Sequence, residues 1–149
     1  MTVKSLIAAT LLLMLALLSA CGTVPLAPPE TDALAKLLQP VPGKAVVYLF
    51  RNETYSAPWP IRVSLDGKDM GHTGADTYFR WTIEPGEHIV LSHTENVASL
   101  VLNAEAGRIY YVWQDVQMGF FQPRSQLTLV DRGTTEIALR SCYLVETKS

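Results

Sequence analysis

Between Lys44 and Val130 the chain is a succession of short apolar runs, rich in β-branched and aromatic residues, with a turn signal about every ten residues. Runs this short cannot bury a helical stripe, but each can bury one face of a strand. Residues 45–51, AVVYLFR, are apolar on both parities and predict a central strand covered on both faces. Residues 61–65 alternate, with Ile61, Val63 and Leu65 inward and Arg62 and Ser64 outward. A turn at 66–69 and a short returning strand at 70–73 follow. In 77–84, Phe79, Trp81 and Ile83 share one parity, Tyr78, Arg80 and Thr82 the other. Beyond Pro85-Gly86, residues 87–93 pair back with Ile89 and Leu91 inward. Residues 97–103 place Leu100 and Leu102 on one face, and 108–113 read as a second central strand. Residues 115–123 read as a loop, and 125–130 as the last strand, with Leu127 and Leu129 inward. Residues 134–141 predict a helix capped by Thr134. The predicted fold is all-β: an antiparallel two-sheet sandwich of about eight strands with a short C-terminal helix.

Ahead of this domain stands MTVKSLIAATLLLMLALLSACG. Lys4 supplies a positive start, and the run from Leu6 to Leu18 is interrupted only by Thr10. It is too short to span a bilayer, which needs roughly 20 apolar residues, and has the form of a secretory signal. Its end, Leu18-Ser19-Ala20-Cys21, resembles the lipobox of bacterial lipoproteins. By that resemblance residues 1–20 are a signal peptide and Cys21 is the lipidated N-terminus of the mature chain. Gly22, rather than an aspartate, implies the outer membrane, with the domain facing the periplasm. Residues 21–43, with prolines 25, 28, 29, 40 and 42, read as a tether carrying a short helical stretch at 31–38. At about 3.1 Å per residue the tether would reach at most roughly 65 Å. Residues 44–149 form the sandwich domain.

Removal of the signal takes away Lys4 and no acidic residue, leaving eleven basic against fourteen acidic residues, a charge of −3. With no lysine or arginine cluster, nucleic acid is not an expected partner. Lipidation of Cys21 leaves Cys142 unpaired, and a buried apolar role is expected for it over an intermolecular disulfide.

Four pieces, AVVYLFR (45–51), VSLDG (63–67), IEPGEH (83–88) and AEAGRIYYV (104–112), resemble in that order a family of small bacterial lipoproteins built on a domain of unknown function. The family pattern is a strand ending in YxxR, an xDG hairpin, PGxH and AexGxxYY. The hairpins are also similar to small PEGA-type β-domains. The resemblance spans about residues 45–139 and implies a β-sandwich in a lipoprotein setting. It implies no activity and no catalytic residues, and residues 118–123 have no match in its pattern.

The chemistry of the remaining motifs is sparse. His72, His88 and His93 form no zinc grammar; His88, just past Pro85-Gly86, is placed to bond loop backbone. Asp66 and Asp69 fit turn chemistry better than a calcium loop. There is no GxSxG elbow and no phosphate loop, so no metal, no cofactor and no catalytic residue is assigned. The aromatic residues are more suggestive. Phe79, Trp81, Tyr111 and Trp113 are expected to fill the core, while Tyr78, Arg80 and Tyr110 on a shared outer face would make a platform for a glycan or peptide. Met118, Phe120 and Phe121 either plug the sandwich or expose an apolar contact. The expected role is that of a non-enzymatic binding or structural module, held to the membrane by the lipid on Cys21, for another envelope protein or cell-wall glycan such as peptidoglycan. The alternatives are an envelope hydrolase without a recognisable motif and a carrier of small hydrophobic ligands, which would need a cavity that packed Trp81 and Trp113 exclude.

Overall fold

The computed structural model describes residues 24–53 and 59–147. Its elements are α1 (Pro29–Ala35), β1 (Ala45–Arg51), β2 (Ile61–Leu65), β3 (Lys68–Thr73), β4 (Thr77–Ile83), β5 (Gly86–His93), β6 (Val97–Ala104), β7 (Ile109–Met118), β8 (Pro123–Val130), α2 (Arg132–Leu139) and β9 (Tyr143–Leu144). They form a five-stranded sheet, β8-β7-β1-β4-β9, and a four-stranded sheet, β3-β2-β5-β6. The all-β two-sheet sandwich with a short C-terminal helix is therefore what the chain adopts. Most strand pairs are antiparallel, but β1 pairs parallel with β7, and β4 with β9.

All seven residues of β1 are buried because its sheet is covered twice. Ala45, Val47 and Leu49 face the other sheet, among Phe79, Trp81, Val63, Val90, Leu102 and Val112. Val46, Tyr48 and Phe50 face the helices, among Leu38, Tyr78, Tyr111, Ala138, Leu139 and Leu144. A strand with no polar face needs this double cover.

The structure corrects several sequence expectations. Residues 24–43 are not wholly a free tether. Ala27 N donates to the Leu144 carbonyl at 2.8 Å, Leu26 bridges Val145, and Leu38 is buried in the helix-side core. Residues before Val24 lie outside the described residues. Helix α1 begins at Pro29, not Thr31, since proline's fixed φ suits a first helical turn. Helix α2 is capped by Asp131, whose carboxylate accepts from Thr134 N at 2.9 Å, rather than by Thr134. In β5 the parity is the reverse of the expected one: Val90 and Ser92 are buried, while Ile89 is 42 % exposed opposite Val101. Three consecutive apolar residues, Ile89-Val90-Leu91, leave either parity open to pattern reading, and a one-residue slip exchanges the faces. The loop expected at 115–123 shrinks to four residues, since β7 runs on to Met118 and pairs there with Pro123. Leu129 is half exposed, because β8 is a sheet edge. Ser64 is buried beneath His93, whose Nε2 lies 2.9 Å from its Oγ.

At one end of the sandwich the core turns polar. Arg51, fully buried, donates from Nε to Glu53 at 2.5 Å and from Nη1 to the carbonyls of Trp59 and Thr73 at 2.8 and 3.4 Å. Thr73 Oγ1 donates to Gln114 Oε1 at 2.6 Å, and Gln114 Nε2 donates to Ser92 Oγ at 2.7 Å. Ser92 Oγ meets Ser125 Oγ at 2.7 Å. This chain of buried groups joins the two sheets where the apolar core stops, each member supplied with a partner.

Candidate contact site at the β7–β8 tip

The β7–β8 hairpin closes through residues 119–122, with Gly119 N donating to the Gln122 carbonyl at 3.0 Å. Its amides do not point idly at solvent. Glu95, in the β5–β6 turn, accepts with Oε2 from the N–H groups of Phe120, Phe121 and Gln122 at 3.1, 3.5 and 3.4 Å. Glu95 N in turn donates to the Pro123 carbonyl. A Cβ on Gly119 would collide with the Gln122 carbonyl and the Glu95 carboxylate, so only glycine fits. The loop is thereby held against its neighbour, and its side chains are driven outward. Phe120 and Phe121 are 85 % and 82 % exposed, edge to face at 4.6 Å, and Met118 is 65 % exposed. Of the two expectations for this stretch, the plug is excluded by geometry, and what stands there is an exposed apolar patch.

The other expected surface does not form. Tyr78 is fully buried, stacked on Tyr48 at 6.1 Å under α1, with its hydroxyl donating to Asp32 Oδ1 at 2.9 Å. Tyr78 thus faces the helices, whereas Tyr110 packs against the core between the sheets. The two cannot share a platform, because Val47 stands opposite both Trp81 and Tyr110, and so puts Tyr110 on the face that Tyr78 does not occupy. Arg80, half-buried, donates to the Tyr48 hydroxyl at 3.1 Å. Tyr111 and Trp113, expected beside Phe79 and Trp81, pack instead against the helix-side cluster. The space between the sheets is filled by Phe79 and Trp81, stacked at 5.3 Å.

Ser64, His93 and Arg62 superficially resemble a hydrolytic triad. Arg62 Nη2 lies 3.1 Å from His93 Nδ1. An arginine only donates, so Nδ1 must accept, and in the neutral ring the proton sits on Nε2, facing Ser64. Burial, and next the Arg62 charge, hold the ring's pKa below its ordinary value and so keep it neutral. A protonated Nε2 cannot take the serine proton, and Ser64 is buried besides. An open groove of about 470 Å³ beside Met118 brings together Asp115, Arg124, Asn96, Gln126, Ser99 and Ser125, and the Ser125 hydroxyl is already engaged with Ser92 Oγ at 2.7 Å. Among the described residues no group of three or more His, Cys, Asp or Glu side chains could hold a metal ion. Cys142 is buried, and burial pushes its thiol up to about 12.

The residues that carried the family resemblance turn out to hold turns together. Asp66 and Gly67, at φ 51° and 79°, form a two-residue hairpin. Asp66 Oδ2 meets His88 Nδ1 at 2.6 Å, while His88 Nε2 lies 2.8 Å from the Glu84 carbonyl. Both partners are acceptors, which favours the doubly protonated ring. The Asp66 bond raises the His88 pKa, and burial opposes it. Asp66 is held below its ordinary 3.8, burial being outweighed by the bonds from His88 and Ile89 N. The stabilisation due to His88 is complete below its unfolded value of 6.5 and is lost as pH rises through the folded value. That due to Asp66 is complete above 3.8 and is lost as pH falls through the folded value. NMR titration should therefore give His88 a pKa above 6.5 in the native chain. In Asp66→Asn, which keeps the turn and the acceptor for Ile89 N, it should fall back toward that value. An unchanged pKa in the variant would show that the pair does not form.

Neither Glu95 nor the polar chain was found by sequence reading. The detectable signal was Gln114, a polar amide on the parity of the buried Val112 and Val116. Glu95 offered no local signal at all. Among the described residues no helix is long and apolar enough to cross a membrane.

Comparison with known proteins gives a family but no activity. The profile of the family described as "Protein of unknown function (DUF2846)" matches residues 42–126, more than half of the chain. An uncharacterized protein of Haemophilus influenzae is 32 % identical over 107 residues, 70 % of this chain and 64 % of the relative, so the match spans under two thirds of that protein's length. No solved structure matches.

Proposed function

The chain belongs to the DUF2846 family of proteins of unknown function, and from that premise we propose that it is a lipid-anchored lipoprotein of the bacterial envelope that works by contact rather than by catalysis. Cys21 is the lipidated residue, the outer membrane is its site, and the domain faces the periplasm. It serves as an accessory or structural module that sets a rigid apolar tip, Met118, Phe120 and Phe121, against another component of the envelope. The observation that carries this reading is the pairing of near-complete exposure of the two phenylalanines with a backbone pinned by Glu95. An apolar tip left to itself would fold back on the protein; one held outward is a docking element. The wrong histidine tautomer at Ser64 and the filled inter-sheet core weigh against the hydrolase and carrier alternatives.

Cell fractionation tests the anchor. Wild type should sediment with membranes and carry a lipid-shifted N-terminal peptide by mass spectrometry. Cys21→Ser should move to the soluble fraction, because two or three acyl chains, each gaining about 0.8 kcal/mol per buried CH₂, are lost together. Retention of the variant in the membrane fraction, or an unmodified Cys21 in wild type, would refute the lipoprotein reading.

A further inference from the structure

We propose that the component met by the β7–β8 tip is the bilayer itself, so that the domain touches the membrane at two points, the lipid on Cys21 and the side chains of Phe120 and Phe121; this deepens the lipid-anchored reading and rests on it.

The tip and Val24, the first described residue after Cys21, lie toward the same end of the sandwich. Val24 packs beside the β3–β4 turn: a Cβ built on Gly74 would lie 3.1 Å from its Cγ2. That turn is flanked by Thr77, opposite Arg51 at the end of β1, and by Thr73, whose hydroxyl holds Gln114. Strand β7 runs parallel to β1 with Trp113 opposite Phe50, so it passes the level of Arg51 at Gln114 and continues to Met118. The tip therefore projects four residues, roughly 13 Å, beyond the end of β1, near the β3–β4 turn beside which Val24 packs. From Val24 to Cys21 there are three residues, a reach of about 10 Å. A lipid on Cys21 leaves no length to hold this end away from the leaflet, and the tip extends about as far as the anchor permits.

The chemistry of the end suits the boundary between headgroups and acyl chains. Phe120, Phe121 and Met118 are apolar and exposed, and Trp59, 43 % exposed, belongs to the same end through its carbonyl on Arg51. Entry into a less polar medium strands no amide of the loop, since the N–H groups of Gly119 through Gln122 are already engaged by the Gln122 carbonyl and by Glu95. The mature charge of −3 gives no attraction to anionic lipid, so the contact is apolar and insensitive to salt.

The test uses the lipidated full-length protein in vesicles of phosphatidylethanolamine and phosphatidylglycerol, a fraction of them brominated on the upper acyl chain. Phe121→Cys is labelled with an environment-sensitive fluorophore; Cys21 is blocked by lipid and Cys142 by burial. Lys68→Cys, exposed at the β2–β3 turn on the opposite end, is the control. The label at 121 should shift to the blue and lose most of its emission to bromine, equally at low and high salt, while that at 68 should be unaffected. Protein that co-sediments with the vesicles but shows no quenching at 121 overturns the tip contact and leaves the anchor standing. Protein that does not co-sediment overturns the anchor and the tip contact with it. Crosslinking in cells from position 121 to a protein, without lipid quenching, makes the tip a protein interface and likewise overturns the inference.

Discussion

Urea unfolding of Arg51→Met is expected to show a loss of about 3–5 kcal/mol, the cost of removing one partner of a buried ion pair. Arg51 has no exposed surface, and its guanidinium is shared among the Glu53 carboxylate and the carbonyls of Trp59 and Thr73. Methionine keeps much of the stem's volume and withdraws all of these donors. The carboxylate of Glu53, 13 % exposed, is then left in a poorly hydrated place with its counter-charge gone. Adding Glu53→Met should restore much of the loss, because two apolar side chains carry no unmet desolvation. A double-mutant cycle would reveal this as strong coupling between the two sites. If Arg51→Met alone costs less than about 1 kcal/mol, the guanidinium is solvated and the polar end of the core is not closed.

The second large effect is expected from Tyr78→Ala, at about 3–5 kcal/mol, the range for truncating a buried aromatic. Tyr78 is covered by α1, stacks on Tyr48 and gives its hydroxyl to Asp32. Asp32 is also bound to Lys36 Nζ at 2.8 Å and to Leu144 N at 2.9 Å, and so ties α1 to β9 across the tyrosine. Loss of the ring opens a cavity beneath the helix and removes one of the partners that hold Asp32 in place. Proteolysis at residues 29–38 should accelerate in the same variant, since local opening of a thin covering layer precedes global unfolding. A residue on an exposed glycan platform would give neither result: stability would be unchanged and only binding would fall. Tyr78→Phe, which loses the hydroxyl alone, should cost about 1 kcal/mol.

The rhythm of short runs and turns was enough for the fold class, the positions of β1, β2 and β4, the first half of β7, and the Asp66-Gly67 hairpin. Strand β1 was legible as doubly covered because seven residues without a polar face admit no other place. Pattern reading failed where apolar residues stood on both parities. Ile89 and Val90 compete for the core, and the choice fell to partners remote in sequence: Ser92, on the parity of Val90, is wanted by Gln114 and Ser125. The same ambiguity affected Tyr78. On β4 its parity is the one opposite Phe79 and Trp81, which was legible; that this face is roofed by α1 and α2 was not, since the proline-rich lead-in read as a tether.

The local sequence by itself determined most of the strands, their turns and the absence of recognisable catalytic grammar, because each depends on neighbours within a few residues. Only the tertiary structure decided which face of the five-stranded sheet meets helices, which histidines meet which acceptors, and that Phe120 and Phe121 stand outward. The last is settled by Glu95, twenty-five residues away from Phe120, which gathers three amides of the loop onto one carboxylate oxygen. No local pattern encodes that meeting, since it arises from the packing of β5–β6 against β7–β8.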